Sequence, residues 1–186
     1  LPPITGRSFV TIICSANPDR MKEAAYPAFI AAGKNVLPDL KSSQVCHSIV
    51  ELRDIMPTLL SAAGAPIPDS VDGSSLLPLT VHPEASIRTW LHGEHSYGEF
   101  SNHWIVTNKD KYIWHSVTGQ EQYFDLAEDP HELKDLISDS SRRERIQFLR
   151  SCLIQSLKDR PEGFTDGERL IAGRDYPPTM DCAEDI

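Results

Sequence analysis

No stretch of this chain stays apolar long enough to cross a bilayer, so a helical membrane span is excluded. Positive charge is also scarce. Against 27 Asp and Glu there are 18 Lys and Arg, a net charge of −9, which argues against nucleic-acid binding through a basic face. A local anion site remains compatible with that total, because one cleft can oppose the sign of the whole. Cysteine is sparse: Cys14, Cys46, Cys152 and Cys182 are widely spaced and form no Cys-x-x-Cys pair. That spacing argues against a structural zinc site, and buried or free thiols are a simpler expectation than disulfides. No charged segment leads into an apolar leader, and the chain opens at Leu1 rather than Met. It reads as a fragment or a processed product, with a lean to the cytoplasm. Internal repeats and low-complexity tracts are missing too, which sets aside solenoids and disordered tails.

What is present is ordinary globular material. The 186 residues, 40% of them hydrophobic, suffice for one good-sized domain or part of a larger protein. The organising stretch is 50–79, VELRDIMPTLLSAAGAPIPDSVDGSSLLPL. Leu52, Ile55, Met56, Leu59, Leu60 and Ala63 recur at helical spacing, which predicts an amphipathic helix near 54–63. Pro57 belongs in its first turn, Asp54 is the candidate N-cap, and Gly64 with Pro66 ends it. Asp72-Gly73 reads as a tight turn, with Ser74 or Ser75 available for capping.

Upstream, the β-branched run SFVTIICS at 8–15 reads as a buried strand, and Phe29-Ile30 starts another. Downstream, 87–92 alternates like a strand, while NHWIVTN, KYIWHSV and QYFDL form an antiparallel meander turning at Asn108, Lys109 and Asp110. Lys109 and Lys111 read as a solvated turn. Asp129-Pro130 with Glu132 reads as a capped helix start, which accounts for the carboxylates Asp125, Glu128, Asp129 and Glu132 without a cation. A longer helix is expected at 141–159. Its stripe is Ile146, Leu149, Leu153, Ile154 and Leu157, which would cover one face of the meander. The tail from 163 is turn-rich.

DIMPTLLSAAGAPIPDSVDGSSLLPL resembles the segment D-x-x-P-T-L-L-x-x-A-G…D-G-x-S-L-L-P-L of type I sulfatases, in the alkaline-phosphatase-like superfamily. Tyr123-Phe124-Asp125-Leu126 and Asp129-Pro130-His131-Glu132-Leu133 match a second recurrent piece near that family's C-terminus. The resemblance is fair from about residue 23 and strong from 50. It implies an α+β fold: the latter part of the alkaline-phosphatase-like α/β core, plus a small antiparallel sheet under a long helix. Residues 1–80 are then the core remnant and 81–186 the sheet subdomain.

In the family, a formylglycine made from Cys or Ser in C-x-P-x-R or S-x-P-x-R attacks the sulfate ester beside a divalent cation, usually calcium. Neither group is expected in this chain. Asn17-Pro18-Asp19-Arg20 comes nearest to the motif, but Ala16 stands where Cys or Ser is needed, and the paired acidic residues of the metal site are absent. No catalytic and no metal-ligating residue is therefore assigned, and calcium and formylglycine are implied only for a full-length parent.

The strand end His92-Gly93-Glu94-His95 retains site character. His92, Glu94 and His95 are the candidate substrate-binding residues at the rim of the cleft, the alternative being hydrogen-bonded rim residues. Both histidines on one metal is disfavoured by their i, i+3 spacing on a strand. His103, Trp104, Trp114 and His115 are expected to pack across strands rather than hold a ligand. The functional expectation is the C-terminal portion of a sulfatase-like hydrolase of small sulfate esters, inactive alone. The alternatives are a degenerate, non-catalytic binding protein with the same fold, or part of a related phosphoester or phosphonate hydrolase. A missing catalytic half would leave apolar core exposed and favour self-association.

Overall fold

The computed structural model describes residues 45–96 and 98–174, and the backbone of two short strands, β1 (Phe9–Val10) and β2 (Phe29–Ile30). These two pair antiparallel, Phe9 opposite Ile30. The remainder of the strand expected at 8–15, Cys14, Cys182 and the end of the tail lie outside the described residues. The chain divides into two compact units between Thr89 and Trp90.

In the first unit a 3-10 turn, Leu52–Asp54, leads into helix α1 (Ile55–Ala62), and a short helix α2 (Leu77–Val81) follows the loop. Pro57 sits in the first turn of α1, where its missing N–H costs nothing. Gly64, at φ 68°, closes the helix: Ala65 N–H donates to the Leu60 carbonyl and Gly64 N–H to that of Ser61, a Schellman motif. Gly73, at φ 94°, makes the expected turn, and a Cβ there would lie 2.4 Å from the Arg53 carbonyl oxygen.

Two expectations in this unit fail. Asp54 does not cap α1 through its side chain. Its buried carboxylate accepts from the Glu51 and Ser74 backbone N–H groups, each at 2.8 Å, and from Arg88 through Nη1 at 2.7 Å and Nη2 at 2.6 Å. Arg88 is thus an ion-pair partner and not a strand residue. Nor does the whole apolar stripe face inward: Leu52, Met56 and Leu59 are 78%, 60% and 51% exposed, while Ile55 and Leu60 are half-buried. The core of this unit is instead Cys46, Val50, Leu76 and Leu79, with Ile87 against it.

The second unit is a meander in the order β3-β4-β5-β6, all antiparallel: β3 (Leu91–His95), β4 (Asn102–Val106), β5 (Asp110–His115) and β6 (Glu121–Asp125). Helix α3 (Arg143–Leu157) follows a 3-10 turn, Ser140–Arg142, capped by Asp139. Four members of the expected stripe are buried: Ile146, Leu149, Leu153 and Leu157 pack with Ile105, Tyr112, Trp114 and Tyr123, joined by Cys152 and Phe164, while Ile154 is half-buried. Cys46 and Cys152 are buried free thiols, as expected.

The helix expected at Asp129-Pro130 is a turn. Glu132 adopts φ 56°, Asp129 accepts from Lys134 N–H, and Asp125 pairs with Arg142 at 2.9 Å. A left-handed residue stops helical propagation. Its reward is an ion pair: the Glu132 carboxylate meets Lys111 Nζ at 2.8 Å, so Lys111 is not a solvated turn residue. Among the described residues no helix is long and apolar enough to cross a membrane.

Candidate functional site

Strand alternation sorts the candidate residues onto two faces. The register sets Glu94 opposite His103, His103 opposite Trp114, and Trp114 opposite Glu121. The adjacent row runs His92, Ile105, Tyr112, Tyr123. Both rows lie on the face covered by α3, since partners across antiparallel strands share a face. Arg150 of α3 pairs with Glu121 on the same side. Gly93 and His95 project the other way, where Trp104 lies over Gly93 so closely that a Cβ would meet its ring at 2.3 Å. The trio His92, Glu94 and His95 is therefore not one constellation: His92 and Glu94 stand together and His95 is on the opposite side, exposed.

The partner that completes the first pair is His103. Its Nδ1 lies 3.2 Å from His92 Nε2 and 3.4 Å from Glu94 Oε2. Glu94 Oε2 also accepts from Arg160 Nη1 at 2.6 Å, and Arg160 in turn holds Glu162. His103 is fully buried, stacked between the rings of His92 and Trp114 and meeting Phe164 edge-on. Burial pushes its imidazolium pKa down to about 4, nearby His92 pushes the same way, and the Glu94 charge opposes them without prevailing. At neutral pH His103 is an uncharged imidazole, able to share a proton with either neighbour or to offer a lone pair.

His103 and Arg160 were missed in the sequence. NHWIVTN announces a strand with His103 and Ile105 on one side, but the connection 96–101 leaves open which residue faces Glu94. Arg160 follows α3 and is 66 positions from Glu94, beyond any local pattern. Trp104 and His115 fall on the face away from His103 and Trp114, so the expected aromatic cluster is split in two, each half packing across strands.

Residues 35–159 match the family model described as N-sulphoglucosamine sulphohydrolase, C-terminal. The chain belongs to the sulfatase family. An arylsulfatase of Clostridium perfringens (strain 13 / Type A) is 51% identical over 154 residues, covering 83% of this chain and 31% of that protein. Arylsulfatase K of Canis lupus familiaris is 37% identical over 111 residues, covering 53% of this chain and 21% of its own length. The chain thus spans less than a third of these relatives. A protein solved in complex with its substrate D-glucosamine-2-N,6-O-disulfate shares the fold, with a TM-score of 0.59 at 20% identity, over 65% of this chain and 26% of that one. The fold is accordingly the C-terminal part of the alkaline-phosphatase-like sulfatase fold, a small antiparallel sheet with its flanking helix.

The cation that serves sulfatases elsewhere does not fit the described residues. Calcium takes 6–8 oxygen ligands, whereas the one His, Cys, Asp or Glu group able to hold an ion among the described residues is His92, Glu94 and His103, two nitrogens and a carboxylate. The sequence carries no C-x-P-x-R or S-x-P-x-R run; in its nearest approach, Asn17-Pro18-Asp19-Arg20, Ala16 stands two residues before the proline.

Proposed function

We propose that this chain forms the C-terminal part of an arylsulfatase-type hydrolase of small sulfate esters. The meander and α3 act as scaffold, and the end of β3 forms one wall of the substrate cleft. The observation carrying this reading is the 51% identity to the Clostridium perfringens arylsulfatase over most of the chain. His95, exposed at the strand end, is the side chain that would touch the organic part of the ester, since Glu94 and His92 leave the sheet on the opposite face. Rim contacts of this kind tune recognition; attack on sulfur needs a nucleophile that these residues do not provide.

The chain alone should therefore be inactive. Purified chain is expected to release no p-nitrophenol from p-nitrophenyl sulfate above a buffer control, and turnover abolished by His95→Ala would refute this. In the native gene product, identified by its mass and 5′ transcript sequence, a Cys or Ser in x-P-x-R context is expected. There His95→Ala should raise KM more than it lowers kcat; unchanged KM would remove His95 from the cleft.

A further inference from the structure

The pleat brings three metal-type donors to one point. His92 and Glu94 are two residues apart on β3, and His103 stands opposite Glu94 on β4, so all three leave the sheet on the same side. The gap between His92 Nε2 and His103 Nδ1 is 3.2 Å, and that between His103 Nδ1 and Glu94 Oε2 is 3.4 Å. All three ligand atoms lie within 4.8 Å of one another. A tetrahedral ion with bonds of about 2.0–2.1 Å sets its ligands roughly 3.3 Å apart. Two edges of such a tetrahedron are therefore already at length before any ion enters.

We propose that His92 Nε2, His103 Nδ1 and a Glu94 carboxylate oxygen form a binding site for a zinc-class divalent cation, with the fourth position left for water or a ligand. The donor set selects the class: two imidazoles and one carboxylate suit zinc, cobalt or nickel, and suit calcium or magnesium poorly. The three donors are supported from outside. Arg160 grips Glu94 Oε2 at 2.6 Å and is itself held by Glu162, which fixes the carboxylate beside the imidazoles. Glu94 and Glu162 together outnumber Arg160 in charge, so a cation meets a net negative shell. The nearby guanidinium opposes it, which weakens the site relative to one built of thiolates and imidazoles alone. The inference stands on these side chains and is independent of the hydrolase reading, because a chain that cleaves no sulfate ester can still take up the ion.

Cobalt is the probe of choice, since tetrahedral Co²⁺ absorbs strongly in the visible and octahedral Co²⁺ does not. Titration of the metal-free chain with CoCl₂ at neutral pH should give a tetrahedral-type spectrum saturating at one ion per chain and bleached by added zinc. His92→Ala and Glu94→Gln should each weaken binding about tenfold or more, while His95→Ala, altered on the opposite face, should leave it unchanged. Glu94 is exposed on an edge strand, and the near-UV signal of Trp114, stacked on His103, reports that each variant keeps its fold. Absence of a tetrahedral spectrum up to millimolar cobalt would overturn the proposal, as would binding that survives both substitutions.

Discussion

Asp54 has no exposed surface, yet it is charged, because four donors converge on it from Glu51, Ser74 and the fork of Arg88. Burial by itself would raise its pKa; the Arg88 guanidinium and the two backbone N–H groups more than offset that and hold the carboxyl below its ordinary value. Removing the guanidinium strands a buried charge, so Arg88→Ala should cost about 3–5 kcal/mol in urea unfolding. Arg88→Lys, lacking the fork, should recover only part of it. Asp110 repeats the pattern: burial raises its pKa, and Arg145, Thr107 and Tyr123 bring it below the usual range. Both carboxyls are depressed in the folded state, so their contribution is complete above the ordinary value of 3.8. It is lost as pH falls through the lower folded values. An acid titration of stability should show that loss below about pH 4 in the wild type and a shallower one in Asp110→Asn.

At the scale of elements, α3 is where sequence and structure agree best. A stripe recurring every three to four residues has one way to be buried, and the meander beside it alternates at period two, so both were legible. Leu153 is fully buried at the centre of their contact, and Leu153→Ala should destabilise by about 2–5 kcal/mol, read from the urea midpoint. The turn at Asp129-Pro130 carries the local signals for a helix start; the left-handed Glu132, paired at long range with Lys111, is not encoded in that local pattern. The site was half legible for a related reason. His92 and Glu94 announce themselves through spacing on one strand, whereas His103 joins them only through a register that local sequence does not encode.

For the molecule as a whole, the exposed stripe of α1 sets the expected behaviour in solution. Leu52, Met56 and Leu59 form an apolar ridge on a chain that spans less than a third of its relatives. Such a ridge favours association with itself. Sedimentation velocity should show a weight-average mass that rises with concentration, and Met56→Glu should return it toward the 20.8 kDa of a single chain. A wild type that stays monomeric at high concentration would show that the ridge is tolerated in water.

The Asp54 junction also has a kinetic side. The amides of Glu51 and Ser74, 23 positions apart in the chain, donate to oxygens of the same carboxylate, so neither can reach solvent in the usual way without disturbing the group that holds the other. Native-state deuterium uptake at these two positions should then follow one common opening event, with the same sensitivity to low denaturant. Residues that are strangers in sequence would share a single exchange clock.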